Sequence, residues 1–361
     1  MLSWLALIGA LICLAALAAR NLGLAPSERA FVQPRRLDLG LLGLALLALI
    51  FATRPTLLSV LALAPFVAAI ASWAWAFGLR SASFVALIVA CGGLAGFGGA
   101  EPEPLASLAI AATIASVAAI ERERWAIAGG LLGYATIAAS WPGLFALALA
   151  AKLALEPERR RDRGSVRALA SFIGVGLVSA LLPAHGVAAS FDLAGPEPAG
   201  ARAVGLRWLF ALDGNLDLGP RWLDYPTKLE HLRERSGWLW ACASALMVPV
   251  IVAARRLEPA RFVAIAGCTS LLAFTSVDAQ VWVVACVLLA SRATLLRDRP
   301  LTLGCAGLLA LDLGLRSLGH VHAQPFLYNV GATSLLSLLL LGLGVVVLLA
   351  PDLSDEPGAP R

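Results

Sequence analysis

The chain has 361 residues, of which 60% are hydrophobic and only 14% are charged, and its mean hydropathy is +0.83. Soluble globular domains carry about a quarter charged residues and under half apolar residues, so this composition excludes an ordinary soluble enzyme. The net charge of +5 does not indicate nucleic-acid binding, because no basic stripe interleaved with aromatic residues is present.

The apolar residues fall in repeated runs of roughly 15 to 22, the length that a helix needs to cross about 30 Å of hydrocarbon. This pattern predicts an all-α fold, a polytopic membrane helix bundle of about 11 spans that forms a single transmembrane domain over residues 1–361. No Lys or Arg precedes the first run, so we expect a retained helix and not a signal peptide. The predicted spans are 2–19, 39–53, 56–78, 82–98, 104–120, 166–182, 236–254, 261–276, 279–292, 301–317 and 332–350.

Arginine-rich connections separate these runs, and the positive-inside rule assigns such connections to the cytoplasm. With all of them inside, the spans alternate in direction, and Arg54 is the main exception. Together with the Ala-, Leu-, Gly- and Arg-rich composition, this predicts a multi-pass protein of the bacterial inner membrane. The connections contain Arg20, Arg29, Arg35 and Arg36; Arg122 and Arg124; the run 156–163; Arg255, Arg256 and Arg261; and Arg292, Arg297 and Arg299.

The segment Trp125–Leu155 is interrupted by Ser-Trp-Pro-Gly at residues 140–143 and has basic flanks on both sides. Each half has about 15 residues, or roughly 22 Å as a helix, which is short of a full crossing. One interpretation is a single kinked helix. The other is a re-entrant pair of half-helices, which the basic flanks favour because both ends then lie on the same side.

Residues 183–235 are rich in Pro and Gly and form the one long segment without a predicted span. We expect an outward-facing loop with short interfacial helices, and Arg202–Leu212 has the helical spacing of apolar residues for one of them. Aromatic residues at the loop and its return are typical of a membrane-interface belt. These aromatic residues are Trp208, Trp222, Tyr225, Trp238 and Trp240.

We interpret the glycine pairs and the cysteines as residues that pack helices together. The glycine pairs Gly92-Gly93 and Gly129-Gly130 indicate close helix packing. All six cysteines lie in apolar runs without a CxxC pair, so we expect buried free thiols that pack as small hydrophobic groups, with neither a zinc nor a redox role.

Residues 99–163 show a more specific order of features. An acidic turn opens a helix that ends in a short arginine turn; a Gly-rich helix of the form AxxGGLLGxA, an aromatic-Pro step, a further apolar helix and an arginine cluster follow. This order resembles the central region of GT-C-type integral membrane glycosyltransferases of the polyprenol-phosphate-mannose-dependent group. The resemblance implies transfer of a sugar from a polyprenyl-phosphate donor to a periplasmic or cell-envelope acceptor.

The chain also departs from that family. Ala273–Trp282 is similar to the family's Ser-Pro-x-Tyr-x-x-Trp segment but lacks its Pro and Tyr. The family typically carries an acidic residue in its first outward loop, whereas the connection that holds Glu28 is predicted to lie inside. The alternative is therefore a non-catalytic membrane subunit, or a degenerate relative, that acts as a scaffold for a membrane protein partner.

Glycosyl transfer from a lipid phosphate needs a carboxylate that takes the acceptor's proton and cations that stabilise the leaving phosphate. The candidate carboxylates are Asp213, Asp217, Asp312 and Glu28. The candidate phosphate or substrate ligands are Arg202, Arg207, Arg221, Lys228, Arg316, His320 and His322. The turn from Asp213 to Asp217, with Asn215, offers oxygen ligands to a divalent metal; solvated turn residues are the alternative interpretation of the loop charges.

Asp312 and Arg316 lie four residues apart in a predicted span and so share one helix face. A charge at the bilayer centre costs about 2.5 to 3.5 kcal/mol, and an i,i+4 pair recovers a few tenths, which favours a polar cavity at this face. A structural ion pair near the outer interface is the alternative, with Arg316 extended toward the headgroups. His320 and His322 point apart on a helix, so a headgroup or substrate contact suits them better than a metal, and plain polar residues at the interface are the favoured interpretation.

Overall fold

The computed structural model describes residues 57–77, 82, 104–156, 163–181, 234–253 and 256–274. In these residues the regular structure is α-helical, as predicted, and the bundle of about 11 spans stays a prediction. Within them, no helix combines the length and the apolar character that a membrane crossing demands. The helices are α1 (Leu57–Phe77), α2 (Pro104–Glu121), α3 (Trp125–Ala138), α4 (Gly143–Leu155), α5 (Arg163–Ala180), α6 (Ser236–Ala253) and α7 (Pro259–Phe274).

The helix bounds agree with the predicted runs to within about three residues. The largest difference is at α5, which was expected to start at residue 166 and begins at Arg163. Its first turns are therefore charged, because the helix extends beyond the apolar run into the arginine cluster. The predicted helices before residue 56, at 82–98 and after residue 278 lie outside the described residues, apart from Ala82.

A tight turn of three residues, 122–124, joins α2 to α3. The Arg124 amide donates to the Ala119 carbonyl and the Glu123 amide to the Ile120 carbonyl, both at 2.9 Å. This pair of bonds is the Schellman arrangement that closes a helix, and it requires a left-handed residue. Glu123 takes that conformation, with φ of 54°.

Arg122, in the same turn, ties α2 to the carboxyl end of α1. Its Nε and Nη2 atoms donate to the Trp75 carbonyl at 3.1 and 2.5 Å, and its guanidinium lies 5.5 Å from the centre of the Trp75 ring. Trp75 lies in the last turn of α1, where carbonyls have no helical donor. The carboxyl ends of α1 and α2 are therefore neighbours, so these two packed helices run in the same direction.

Helices α3 and α5 pack so closely that their backbones touch. A Cβ at Gly129 would meet the carbonyl of Ala168, and one at Gly133 would meet that of Phe172. The predicted close packing through small residues is thus confirmed at this pair. Because residue 129 lies beside 168 and residue 133 beside 172, α3 and α5 run parallel.

Between these parallel helices, the helical conformation is interrupted at residues 139–142, and the chain reverses its direction there. Ala139 is extended, with φ −154° and ψ 142°, so no continuous kinked helix exists. A straight course would carry Leu155 roughly 39 Å beyond Gly129, whereas the eight residues to Arg163 span at most about 28 Å. The half-helix pair is confirmed as two helices, and its re-entrant position in a membrane stays a prediction.

Helix α7 is antiparallel to both α4 and α6. Phe145, early in α4, fills the space beside Gly267 in the middle of α7, and Lys152, late in α4, reaches Leu257 just before α7. On the other side, the Ser270 hydroxyl lies 3.5 Å from the Met247 sulfur, and the Trp240 and Phe274 rings are 5.4 Å apart. The connection between α6 and α7 therefore lies at the carboxyl end of α4.

These directions bring the basic turns to one end of the bundle. We call this the basic end; it holds the α2–α3 turn, the carboxyl end of α4, the start of α5 and the α6–α7 connection. Among the arginines in the described ranges, Arg235 alone lies at the opposite end. Because α5 ends and α6 begins at that opposite end, the chain enters and leaves residues 182–235 there.

The outer surface of the described bundle is apolar, and its interior contains large apolar side chains, such as Ile114, Leu132 and Leu271, together with small and polar residues. Leu169, Ile173 and Leu177 of α5 are exposed, whereas Ala168 and Ser179 are buried. The expectation of buried thiols is confirmed for Cys268 and wrong for Cys242, which is exposed. Cys242 lies on the face of α6 that points away from α7, beside exposed Trp238.

Alanine at Gly133 is expected to destabilise the chain by about 1 to 3 kcal/mol, because the new methyl group overlaps backbone atoms of α5. Gly174 is the matched control: it lies in α5, and a Cβ there meets nothing within 4 Å. Gly174→Ala is expected to leave the stability unchanged or to raise it by up to about 1 kcal/mol. Thermal unfolding of the purified full-length chain measures both, and equal midpoints for the two variants would contradict the close packing.

Candidate functional site

The predicted catalytic and donor-binding residues lie outside the described residues, so this site stays a prediction. The same holds for the turn proposed to offer ligands to a metal and for most of the loop at 183–235. Within the described ranges, no group of three His, Cys, Asp or Glu residues is placed to hold a metal ion. The residues concerned are Glu28, Arg202, Arg207, Asp213, Asp217, Arg221, Lys228, Asp312, Arg316, His320 and His322.

The described part does contain one ionic site, at the basic end between α4 and α7. It consists of Lys152 in the last turn of α4, Glu156 at the end of that helix, the Leu257 carbonyl and the ring of Phe262 in α7. We call it the buried ionic cluster. Lys152 and Glu156 lie four residues apart on the helix, so they share one face.

Lys152 is the centre of the cluster. Its Nζ donates to the Leu257 carbonyl at 2.6 Å and lies 2.6 Å from the Glu156 Oε1 atom. The same nitrogen is 5.9 Å from the centre of the Phe262 ring, within the range of a cation–π contact. The side chain of Lys152 is fully buried, whereas that of Glu156 is 23% exposed.

The partners of Lys152 explain how a buried ammonium is tolerated. Removing an ion from water costs several kcal/mol, and only well-placed hydrogen bonds and an opposite charge offset this cost. Lys152 has both, and bonds to a charged donor are about twice as strong as neutral ones. Its position in the last turn of α4 also places positive charge at the negative end of the helix dipole.

Arg261 is a second buried cation at this end, and its position corrects the sequence analysis. It is the first residue of the predicted span 261–276, whereas in the structure it lies inside the first turn of α7, where it is 1% exposed. The reason is that α7 begins at Pro259, two residues earlier than predicted, and packs against α4. Arg261 thus enters the helix interface with its neighbour Phe262, which is also buried.

The buried ionic cluster fastens two segments and offers no reactive group to a solute. Lys152 is sealed from solvent and engaged by the α6–α7 connection, 105 residues away in sequence. Buried hydroxyls elsewhere bond within their own helices: Thr113 to Ala109 and Thr136 to Leu132, at 2.8 and 2.7 Å. The hydroxyl bonds therefore satisfy polar groups inside single helices, whereas Lys152 joins two segments.

Sequence reasoning did not identify the cluster, although one local signal was present. One of the chain's two lysines stands four residues before a glutamate at the end of an apolar helix, a spacing typical of an ion pair on one face. The carbonyl of Leu257 and the ring of Phe262 leave no such trace, because backbone carbonyls and aromatic rings occur throughout the chain.

Lys152→Met is expected to destabilise the chain by about 3 kcal/mol, because Glu156 and the Leu257 carbonyl lose their cation. The double variant Lys152→Met/Glu156→Gln is expected to recover part of this loss, since it leaves no carboxylate without its counter-charge. Chemical denaturation of the single and double variants measures the coupling. Additive losses would show that the two side chains do not interact.

No family model matches the chain, and no curated protein or solved structure matches it significantly. The likeness of residues 99–163 to GT-C enzymes therefore rests on the order of features in the sequence.

Proposed function

We propose that this chain is a polytopic protein of the bacterial inner membrane and acts as a GT-C-like glycosyltransferase. In this proposal it moves a sugar from a polyprenyl-phosphate donor to an acceptor in the periplasm or cell envelope. The observation that carries the membrane part is the apolar outer surface of the described bundle. The transferase part rests on the feature order of residues 99–163 and on the predicted outer loop.

The size and continuity of the apolar outer surface support the proposal that the bundle lies in lipid. Large aliphatic side chains on α5 are 50–63% exposed over more than three turns, and Val248 and Val252 of α6 are 56% and 73% exposed. Soluble monomers rarely expose contiguous apolar patches of this kind.

The two ends of the bundle support one orientation. The basic end collects the described arginines other than Arg235, and cytoplasmic connections carry such an excess. At the opposite end, Trp238 and Trp240 are 72% and 54% exposed at the start of α6, as expected for an interfacial aromatic belt. The proposal therefore assigns the basic end to the cytoplasm and residues 182–235 to the outside.

That orientation supports the transferase because it assigns two of the candidate carboxylates, Asp213 and Asp217, to the side where a periplasmic acceptor is found. Asp213 and Asp217 belong to the segment that the chain enters and leaves at the end opposite the basic end. A carboxylate there is available to take the acceptor's proton, and the arginines of the same segment are available for the donor phosphate.

A scaffold without catalytic activity is the second candidate, and one observation favours it. In the described helices, Lys152 joins α4 to the α6–α7 connection, and the buried hydroxyls of Thr113 and Thr136 donate to carbonyls of their own helices. An enzyme needs polar side chains that face a cavity, so activity depends entirely on the predicted outer residues. A membrane protein partner would then account for part of the exposed apolar surface.

The orientation is tested with single cysteines in a chain from which the six native cysteines have been removed. Arg124→Cys at the basic end and Glu234→Cys at the opposite end change side chains that are both exposed. In intact cells, a membrane-impermeant maleimide is expected to label position 234 and to label position 124 only after permeabilisation. Labelling of both positions in intact cells, or a chain that carbonate extracts from membranes, would contradict the proposal.

The transferase is tested with Asp213→Asn, Asp217→Asn and Asp312→Asn in membranes supplied with polyprenyl-phosphate-linked mannose. Loss of a general base typically lowers the rate by 10² to 10⁴-fold, and we expect at least one variant to fall in that range. Asp162→Asn, in the arginine cluster at the basic end, is the matched control and is expected to retain full turnover. Full turnover in all three variants, or none in the unmodified chain, would favour the scaffold.

A further inference from the structure

The outward face of α5 changes from cationic to apolar along its length. Arg163 and Arg167 are exposed in its first turns. Exposed apolar side chains occupy the same half of the helix from there onward: Val166, Ile173 and Leu177 lie within about 80° of Arg163 around the axis, and Arg167 and Leu169 lie at the two edges of this half. We call this face the α5 stripe: Arg163, Arg167, Val166, Leu169, Ile173 and Leu177.

The α5 stripe lies on the side of the helix that α3 does not cover. Contacts with α3 run through Ala168, the Phe172 backbone and Gly176, which lie about a quarter to half a turn of the helix from the middle of the stripe, with Leu169 at the stripe's edge nearest to them. The apolar members of the stripe are 50–63% exposed. The stripe is thus a cationic patch followed by an apolar wall, open along one side of the bundle.

We infer that the α5 stripe binds an anionic phospholipid of the cytoplasmic leaflet, with the lipid phosphate at Arg163 and Arg167 and an acyl chain along the wall. This inference rests on the proposed membrane location and names a ligand for one surface of the protein. Charge complementarity selects the lipid class, because guanidinium groups bind phosphate in a planar, two-bonded geometry. The headgroup must carry net negative charge, since two cations have no preference for a zwitterion.

The length of the stripe fits one leaflet. From Arg163 to Leu177 the helix rises about 21 Å, which is close to half of a ~30 Å hydrocarbon core together with its headgroup layer. The arginines stand at the basic end, the side proposed to face the cytoplasm. A sugar donor used at the outer face would meet the opposite end of the bundle, so we assign the stripe to a structural phospholipid and not to the donor.

Native mass spectrometry of the purified full-length chain in mild detergent, titrated with phosphatidylglycerol or phosphatidylethanolamine, tests the inference. We expect phosphatidylglycerol to bind more tightly. Arg167→Gln is expected to weaken its binding about five-fold, and Arg163→Gln/Arg167→Gln about 25-fold, because each arginine near a lipid surface contributes a factor of this size. Raising the salt concentration is expected to reduce the preference further.

Arg256→Gln is the matched control, since it removes the same charge from an exposed position at the basic end but outside α5. It is expected to change phosphatidylglycerol binding by less than about two-fold. Leu169→Ala/Ile173→Ala is expected to weaken the binding of both lipids equally, because the wall contacts acyl chains and not headgroups.

Three outcomes would overturn the inference: equal binding of the two lipids, unchanged phosphatidylglycerol binding in the double arginine variant, or a dimer without lipid whose α5 faces cover each other. Carbonate extraction of membranes distinguishes a failure of the lipid-site inference from a failure of the proposed membrane location. A chain that stays in the membrane but shows any of these outcomes refutes only the lipid site. A chain released by carbonate refutes the membrane location and the lipid site together.

Discussion

The backbone contact between α3 and α5 is the constraint from which most of the described architecture follows. Without side chains at Gly129 and Gly133, the two helices approach until their backbones touch, and they do so in parallel. Two parallel helices with a single short helix between them require the chain to turn back, and it does so at Ala139–Pro142. The carboxyl end of α4 and the start of α5 consequently share the basic end.

Cations at the basic end then fasten the segments that meet there. Arg122 donates to a carbonyl in the last turn of α1, and Lys152 donates to the carbonyl before α7. Both oxygens lie where no helical amide reaches them, and a carbonyl left unsatisfied in an apolar medium costs several kcal/mol. The charged end of a long side chain, such as that of Arg122 or Lys152, reaches such an oxygen on a neighbouring segment and donates a hydrogen bond to it. The basic residues therefore have a packing role in addition to any role in orientation.

The distribution of side chains between the interior and the surface of the bundle also fits apolar surroundings. When the surroundings are apolar, burying large aliphatic groups yields little, and close packing of small residues with interhelical hydrogen bonds holds helices together instead. The α3–α5 contact and the buried ionic cluster are examples of these two interactions. Large aliphatic groups also fill the interior, for example Ile114 and Leu132, and those on the outside of α5 suit acyl chains. The proposed membrane location, the proposed use of a lipid-linked donor and the lipid site on α5 all assume that the bundle has apolar surroundings.

The sequence alone determined the local features of this protein. Apolar runs bounded by Pro, Gly and arginine turns predicted the described helices to within about three residues, because helix formation and termination depend on neighbouring residues. The break at residues 140–143 and the small-residue contact at Gly129 were predicted for the same reason. The candidate catalytic carboxylates and phosphate ligands are also inferences from local composition, and they remain predictions.

Only the tertiary structure decided which helices are neighbours and which charged groups are buried. The α3–α5 pairing, the partners of Lys152, the burial of Arg261 and the exposure of Cys242 depend on segments distant in the chain. Residue 152 meets residue 257 across 105 positions, and no periodicity or spacing encodes such a contact. The free energy of each side chain depends on what surrounds it after packing, so its role is settled only when the helices have come together.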